Sequence, residues 1–499
     1  MKPNVFDVVV VGHGIAGLSA AVSAMQNGAR VAVLERAPAE ESGGCTRYTE
    51  AYLRLKSEDE LSDDFESVLA DTGSANPDPA LVDQMTRPAG EWPGILRTMS
   101  VTDPEFLATF AGEAIPTIKW LKTFGIRFIM SRLPHITARE HPGLLVPVGG
   151  GYAMMEALVN AGRAGGMTFF YETAVRQLVQ DEAGAVVGVQ AVGRQNRPVE
   201  FRAKAVVLAS GGFEGNPEML QRYVGKGAIN IRPVARGCYY NQGDGIRMAR
   251  EIGAAESGDY GYYHAVPVDL RSGRTEAKVL IFPYGIVVNL LGKRFTDEGV
   301  GTEYRTNDAM CHAIQAQPNG TGYAIVDAKI NDIPEYTRAI LSDQPPIQAD
   351  SLPEMAQKLG IPAAALEETV REFNVACQPG RFIASRVDGL ATVGIEPKKS
   401  NWARPIDRPP FICYPLIPAG IITMGGIKTN ASAQVLNAEG DCIPGLYAAG
   451  ALVGMFYRHY PAAMSVLRGA VFGRIGGAHA ARELRAERST SREALDTAA

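Results

Sequence analysis

The chain has 499 residues, more than one hydrophobic core usually supports, so two or more domains are expected. Its net charge is −5, and lysine and arginine are scattered along it rather than clustered. This distribution excludes the basic surface that binds nucleic acid.

The N-terminal stretch "MKPNVFDVVVVGHG" carries one lysine, an early acid and only a short apolar run, unlike a secretory signal peptide. No apolar run approaches the roughly 20 residues that a helix needs to cross a bilayer. The sequence therefore predicts a soluble protein without a transmembrane segment.

A strand followed by a glycine-rich turn opens the chain. The run "VVVV" is typical of a strand buried on both faces of a parallel sheet, and Gly12, Gly14 and Gly17 follow it in a GxGxxG pattern. The first glycine permits a tight turn, the second lets the backbone approach a pyrophosphate, and the third lets the next helix pack on the strand. Glu35 ends a second strand about 20 residues on, where an acid binds a ribose hydroxyl. The segment predicts a dinucleotide site.

Two later strands end in small residues. One runs from residue 203 into Ser210, Gly211 and Gly212, and the other is "IPGLYAAG", which ends at Gly450. Ordinary core strands would explain their apolar residues but not the repeated small residues at their ends. Both endings are typical of flavoproteins of the two-dinucleotide-fold type, which bind FAD.

The six cysteines are far apart and form no CxxC, CxxCH or ferredoxin-like group. Their spacing argues against disulfides, haem, iron–sulfur clusters and structural zinc, and no metal site is expected. A reducing cytoplasm is the simplest compartment for such a chain.

A series of motifs in chain order resembles the FAD-dependent fumarate reductase and succinate dehydrogenase flavoprotein family over nearly the whole chain. The segments that carry the resemblance are "GGCTRYTEAYLR", "VGGGYAMMEALVNAG", "LASGGF", "NQGDGIRMAREIGA", "VVNLLGKRFTDEG" and "GLYAAG" with "FGRIGG". Within the family, "TRYTEAYLR" and "TDEG" look most like the tricarballylate dehydrogenase branch. The segment "HYPAAMS" is similar to the "YPGPG" segment of the 3-ketosteroid dehydrogenases, a related branch.

The resemblance implies an α/β fold: an FAD domain with a parallel sheet, interrupted by an inserted α+β capping domain. It places the FAD domain at residues 1–262 and 415–486 and the capping domain at residues 263–414. The inserted segment is rich in proline and shows helical spacing at Leu359, Leu366, Val370 and Phe373. The polar residues 487–499 are expected to be a disordered tail.

The resemblance also implies which residues contact FAD. Relatives with covalently attached flavin carry a histidine after the second strand, where this chain has Cys45 between Gly44 and Thr46, so noncovalent FAD is expected. The residues expected to contact the cofactor are Gly12, Gly14, Ile15, Ala16, Gly17, Glu35, Arg36, Gly43, Gly44, Cys45, Thr46, Val175, Ser210, Gly211, Gly212, Asn241, Asp244, Gly450, Ala451, Ser465 and Val466.

The segment "FYRHYPAAMS" supplies candidate catalytic groups. A flavin exchanges a hydride with carbon, so the protein must hold an activating carboxylate or carbonyl and transfer the second hydrogen as a proton. Arg458 can bind a carboxylate in a bidentate manner, and Tyr460 aligns with the tyrosine that polarises a carbonyl in the ketosteroid dehydrogenases. His459 is a further candidate. By resemblance, the helix that starts at Ser465 points its N-terminus at the flavin and stabilises negative charge there.

Two more candidates lie in the inserted segment. His264 matches the histidine of the fumarate reductases' "HPT" motif, a ligand of the substrate carboxylate, and Arg305 lies near their proton-donating arginine. The chain lacks their second substrate histidine, because Ile421 and Ile422 replace the "HH" of "HHTMGG", and it also lacks their ExxR proton relay. A substrate larger and less uniformly charged than fumarate is therefore expected.

The predicted function is an FAD-dependent dehydrogenase or reductase that acts on a CH–CH bond next to a carboxylate or ketone. The alternatives are a ketosteroid-type desaturase or ene-reductase, a flavin oxidase or monooxygenase, and a non-enzymatic binding protein stabilised by FAD. The expected partners are a small-molecule carboxylate or ketone and a separate electron acceptor, which is oxygen, a quinone or a partner protein.

Overall fold

The computed structural model describes residues 4–73, 100–132, 143–301, 303–457 and 459–498, with the single residues 84, 91, 94 and 136 between them. Within these ranges the side chains of residues 303–305 and 486–498 are not described. The α-helices of this part of the chain are α1 (Ile15–Gln26), α2 (Phe65–Thr72), α3 (Pro104–Lys122), α4 (Gly150–Ala164), α5 (Pro217–Tyr223), α6 (Asp244–Glu251), α7 (Glu303–Gln315), α8 (Leu352–Leu359), α9 (Ala363–Ala376) and α10 (Ser465–Ala498).

The strands fall into three larger sheets and two pairs. They are β1 (Asn4–Val5), β2 (Val8–Val11), β3 (Val31–Leu34), β4 (Phe128–Ser131), β5 (Leu144–Pro147), β6 (Thr168–Phe170), β7 (Ala174–Gln180), β8 (Val186–Val192), β9 (Pro198–Arg202), β10 (Ala205–Leu208), β11 (Arg232–Pro233), β12 (Glu256–Ser257), β13 (Tyr263–Asp269), β14 (Ile286–Val288), β15 (Gly322–Val326), β16 (Ile347–Ala349), β17 (Phe411–Thr423), β18 (Gly426–Ile427), β19 (Gln434–Leu436) and β20 (Cys442–Ala448).

The central sheet carries the predicted dinucleotide motif. Its strand order is β19-β20-β10-β2-β3-β6, and every neighbouring pair is parallel except β19 with β20. All four valines of β2 are buried, as expected for a strand covered by helices on both faces. The apolar run in the sequence therefore lies at the centre of a parallel sheet, as predicted.

Helices α1 and α10 pack closely although about 450 residues separate their starts. A glycine every fourth residue of α10 lies on one face of that helix, and a Cβ at Gly473 would overlap the carbonyl oxygen of Ala16. A Cβ at Gly477 would likewise overlap the carbonyl oxygen of Ala20. Because these positions of α10 carry no side chain, α10 packs directly against the backbone of α1.

A second sheet, β1-β9-β8-β7, joins strand β1 to the middle of the chain. The third sheet, β11-β17-β15-β14, also pairs β13 and β16 with the long strand β17. The predicted domain boundaries at residues 262 and 415 fall just before β13 and inside β17, which pair antiparallel with each other. The division into two domains stays a prediction.

The predicted helical spacing in the inserted segment corresponds to α8 and α9, where Leu366, Val370 and Phe373 are buried. Helix α10 extends over most of residues 487–499, and the disorder expected there stays a prediction. Within the described ranges, no helix is both long enough and apolar enough to cross a lipid bilayer.

Candidate functional site

The turn between β2 and α1 leaves no room for a side chain at two of its glycines. Gly12 has a φ of +115°, and a Cβ there would overlap the carbonyl oxygen of Ala209 at the end of β10. A Cβ at Gly17 would overlap the carbonyl oxygen of Gly12. Gly14 has an ordinary φ of −76°, and its Cβ would lie 3.4 Å from Oγ1 of Thr46. Gly12 and Gly17 are therefore needed for the fold, whereas Gly14 leaves room at the helix start.

The N-terminus of α1 opens into a cavity. Gly14, the N-cap residue, has no side chain to cap the helix, and the backbone N–H of Ile15 donates to Oγ1 of Thr46 at 3.2 Å. A helix start offers unpaired N–H groups and a partial positive charge. This arrangement fits a pyrophosphate.

The acid at the end of β3 is held by backbone N–H groups. Oε2 of Glu35 accepts from the N–H of His13 at 3.1 Å, and Oε1 accepts from the N–H of Ala37 at 2.8 Å. Burial raises the pKa of Glu35 above its ordinary value, although these N–H groups oppose the rise. The next residue, Arg36, pairs with Asp244 at 2.7 Å. All three predicted cofactor residues line the same cavity.

The end of β10 meets the Asn241 side chain. A Cβ at Gly211 would lie 2.6 Å from Oδ1 of Asn241, and one at Gly212 would overlap the hydroxyl of Thr423. The hydroxyl of Ser210 is buried and has no hydrogen-bond partner within the described part of the chain. An unsatisfied hydroxyl in a cavity wall fits a polar ligand.

Most of the predicted cofactor residues surround this one cavity. Those that line it are Gly12, Gly14, Ile15, Ala16, Glu35, Arg36, Gly43, Gly44, Cys45, Thr46, Val175, Ser210, Gly211, Asn241, Asp244, Gly450, Ala451, Ser465 and Val466. Gly17 and Gly212 are not in the wall and act instead through backbone packing. The glycine turn, the N-terminus of α1 and the Ser210 hydroxyl together fit a dinucleotide.

Tyr460 lies where the cavity meets the start of α10. Its phenol oxygen accepts from the backbone N–H of Met464 at 3.1 Å, from the N–H of Ser465 at 2.9 Å and from the Ser465 hydroxyl at 2.8 Å. Its ring centroid lies 4.3 Å from that of His264, and both residues line the cavity. The structure therefore brings two of the five predicted catalytic residues into contact.

His264 is held by an aspartate that the sequence analysis did not identify. Nδ1 of His264 lies 2.8 Å from Oδ1 of Asp308, and the same oxygen accepts from the N–H of Ala265 at 2.9 Å. Oδ2 of Asp308 accepts from the hydroxyl of Tyr262 at 3.3 Å. Asp308 lies three residues after Arg305, so helical spacing was the available signal. The carboxylate fixes the orientation of the imidazole ring.

Of the other three catalytic candidates, the structure describes the side chain of His459 alone. Arg458 lies outside the described residues, and only the backbone of Arg305 is described, in the first turn of α7. Nε2 of His459 lies 3.4 Å from Asp71 on α2, and His459 does not line the cavity. Neighbours in an irregular segment need not face the same side, and here Tyr460 lines the cavity whereas His459 pairs with Asp71. Its position does not favour contact with a substrate.

A charged cluster in the cavity wall was also missed by the sequence analysis. Nζ of Lys278 lies 2.7 Å from Glu276 and 3.5 Å from Glu50, and all three residues line the cavity. Burial opposes the charge on Lys278, but the two carboxylates outweigh it and raise the pKa of the amine. Burial also raises the pKa of Glu276. The stretch "TEAK" before an apolar run was the available sequence signal.

One prediction about the cysteines is wrong. Cys45 and Cys238 form a disulfide across 193 residues of sequence, although their spacing argued against disulfides. The turns Gly44–Tyr48 and Arg236–Tyr240 pack so closely that a Cβ at Gly237 would overlap the carbonyl oxygen of Gly44. Separation in sequence is therefore no guide to separation in space. Because the chain contains a disulfide, its cysteines no longer favour a reducing compartment. The cytoplasmic location stays a prediction.

Residues 7–465 match the family described as an FAD binding domain. The urocanate reductase of Eggerthella lenta is 27% identical over 95% of this chain and 74% of that protein.

Two solved structures share the fold. A flavocytochrome c3 fumarate reductase in an open conformation aligns with a TM-score of 0.70 and 24% identity, over 96% of this chain and 79% of that one. The 3-ketosteroid-Δ4-(5α)-dehydrogenase of Rhodococcus jostii RHA1, in complex with 4-androstene-3,17-dione, aligns with a TM-score of 0.64 and 25% identity, over 96% of this chain and 98% of that one. The predicted mixed α/β fold with parallel sheets is confirmed.

Proposed function

Because this chain belongs to the FAD binding domain family, among the fumarate reductase and succinate dehydrogenase flavoproteins, we propose that it oxidises or reduces a carbon–carbon bond next to a carboxylate or ketone. The predicted family, the FAD cofactor and the class of FAD-dependent oxidoreductase are confirmed by the family match. The finer assignment, a tricarballylate dehydrogenase-like activity with noncovalent FAD, belongs to the proposal.

The reaction requires two hydrogens to be handled differently. FAD, when bound, supplies the group that accepts or gives a hydride. The chain must then hold the substrate beside the cofactor and transfer the other hydrogen as a proton. Both tasks need polar side chains in the same cavity as the dinucleotide turn.

The observation that carries the proposal is the contact between Tyr460 and His264 in the cavity wall. The phenol oxygen receives donors from Met464 and Ser465, and such donors strengthen the hydrogen bond that the phenol itself donates. A phenol placed in this way can polarise a substrate carbonyl or exchange a proton with it. The Asp308 carboxylate holds the His264 ring against it.

The bound carboxylate of the substrate needs a cation. Lys278 is poorly suited, because Glu276 and Glu50 already neutralise its charge. Arg458 therefore remains the proposed ligand of a substrate carboxylate, as the sequence predicts, and Arg305 remains a candidate proton donor. The urocanate reductase named above supports a substrate of the unsaturated carboxylate class.

A ketone substrate is the second candidate. The position of Tyr460 at the start of α10 favours a polarised carbonyl, and the ketosteroid dehydrogenase similar to this chain was solved with a ketosteroid bound. In either case the electrons pass to a separate acceptor, which we propose is oxygen, a quinone or a partner protein.

The test is to follow the flavin absorbance of the purified holoenzyme without oxygen while adding tricarballylate-like acids and then 3-ketosteroids. If the carboxylate proposal is right, an acid bleaches the flavin in wild type but not in Arg458→Ala, and it still bleaches Tyr460→Phe, but more slowly because the phenol proton is lost. Bleaching only by a ketone, lost in Tyr460→Phe and kept in Arg458→Ala, would establish the second candidate instead. Tyr414→Phe is the matched control, because it removes the hydroxyl of a buried tyrosine that is not in the cavity wall.

A further inference from the structure

We infer that Cys45 and Cys238 form a reversible thiol–disulfide pair in the wall of the FAD cavity, and that opening this bond changes how tightly the cavity holds FAD. The inference does not depend on which substrate the enzyme uses. It concerns a redox site other than the cofactor and follows from the neighbours of the two sulfurs.

The two cysteines differ in access. Cys45 is partly exposed and lines the cavity, whereas Cys238 is fully buried behind it. The other cysteines of the described chain are unpaired: Cys311 and Cys413 are buried, Cys377 is half-buried and Cys442 is exposed. A small thiol reagent that enters the cavity therefore meets the sulfur of Cys45 first.

A buried carboxyl group lies beside the pair. Oε1 of Glu214 is 3.3 Å from Sγ of Cys45, and a carboxylate oxygen and both sulfurs all lie within 4.8 Å of one another. Oε1 accepts from the amide of Asn241 at 2.5 Å, and Oε2 has no partner within the described residues. A disulfide sulfur has no hydrogen to donate, so the carboxyl group has little to stabilise its charge, and burial raises the pKa of Glu214 to about 7.

This arrangement supplies the proton that disulfide reduction requires. The thiolate of a dithiol attacks Sγ of Cys45, a bond forms between these sulfurs, and the bond to Cys238 breaks. Cys238 leaves as a thiolate and takes the proton of Glu214. The second thiol of the reagent then attacks the mixed disulfide and releases Cys45. Overall the protein gains two thiols, the dithiol becomes a disulfide, and Glu214 regains a proton from solvent.

Opening the bond affects the cavity through Asn241. The Asn241 amide contacts Sγ of Cys45 at 3.4 Å as well as Glu214, and it lies against Gly211 in the cavity wall. After reduction, the Cys45 thiol gains a hydrogen that it can donate to Glu214. The turns that carry Cys45 and Cys238 are then no longer linked covalently. We expect the dissociation constant of FAD to change by at least threefold.

The test uses the holoenzyme, oxidised in air and then treated with dithiothreitol without oxygen. Alkylation followed by peptide mass analysis should find Cys45 and Cys238 linked before treatment and alkylated after it. Release of FAD, followed by its fluorescence, should change in parallel. Cys238→Ser should release FAD as the reduced wild type does, and dithiothreitol should not change this release. Cys442→Ser should respond to dithiothreitol as wild type does. Glu214→Gln should slow the reduction at pH 6 by about tenfold.

Two results would overturn the inference. One is that both cysteines are alkylated in the air-oxidised protein, including the case in which they hold a stoichiometric metal ion that a chelator removes. The other is that the bond opens in wild type but FAD release is unchanged. Since wild type with and without dithiothreitol gives both readouts, the test does not depend on the folding of a variant.

Discussion

Two glycines of the same motif should fail in different ways when replaced by alanine. Gly12 has a φ of +115°, which costs an alanine about 1–3 kcal/mol, and the overlap of its Cβ with the carbonyl oxygen of Ala209 costs about 1–3 kcal/mol more. Gly12→Ala should therefore lower the free energy of unfolding by about 2–6 kcal/mol. The loss should appear whether or not FAD is bound.

Gly14→Ala should instead leave folding nearly intact. Its φ of −76° suits alanine, and a Cβ 3.4 Å from Thr46 is an ordinary contact, so we expect a change within about 1 kcal/mol. The same methyl group would stand where the backbone approaches the pyrophosphate. The dissociation constant of FAD should therefore rise at least about tenfold, which corresponds to about 1.4 kcal/mol.

The assay compares the two variants as apoproteins. Unfolding in guanidinium chloride gives the free energy of unfolding, and titration with FAD, followed by the quenching of its fluorescence, gives the dissociation constant. The reasoning is refuted if apo Gly12→Ala unfolds within 1 kcal/mol of wild type. It is equally refuted if Gly14→Ala binds FAD as tightly as wild type.

Three further predictions concern buried charges. Lys278→Met leaves the carboxylate of Glu276 without its cation, so the free energy of unfolding at pH 8 should fall by about 3 kcal/mol. This loss should shrink as the pH falls, because burial raises the pKa of Glu276. The pKa of Glu214 is raised from 4.5 to about 7, so between these pH values the folded state holds a proton that the unfolded state has lost. The free energy of unfolding of wild type should therefore fall by about 3 kcal/mol as the pH rises from 4.5 to 7. Glu214→Gln should lack this fall. Asp308→Asn removes the negative charge of the group that accepts hydrogen bonds from His264 and from the N–H of Ala265. The free energy of unfolding should fall by about 2–3 kcal/mol.

Exposed groups supply the controls for these measurements. Asp332→Asn alters an exposed carboxylate and should change stability by less than about 0.5 kcal/mol. An equal loss in Asp332→Asn and Asp308→Asn would contradict the role given to burial. A wild-type stability that stays flat between pH 4.5 and 7 would contradict the role given to Glu214.

The dinucleotide turn could be predicted because its contacts are local. Gly12, Gly14, Gly17 and Glu35 lie within one strand, helix and strand unit, whose geometry follows from the order of residues. The buried valines of β2 follow from the same pattern. The family resemblance then located the more distant strand ends, which local spacing alone would not have joined to this turn.

The missed residues depend on contacts between distant segments. The hydrogen bonds of Asp308 join α7 to β13, and the ion pair of Lys278 with Glu50 joins two segments far apart in the sequence. Nothing near these residues in the sequence distinguishes a buried charge from an exposed one. The pairing of Cys45 with Cys238 was missed for the same reason, since no spacing rule covers 193 residues.

The contact between α1 and α10 sets an order of events during synthesis. At about 5–20 residues per second, a ribosome finishes α1 roughly 20–90 seconds before it reaches Ser465. Until then the glycine face of α10 and the strand β20 are missing, and β10 presents an unpaired edge to chaperones or to other nascent chains. The flavin pocket lacks Gly450, Ser465 and Val466 over the same interval. FAD must therefore bind after translation. Slowing the ribosome near the end of the messenger RNA should increase aggregation and should not improve the yield of FAD-bound protein.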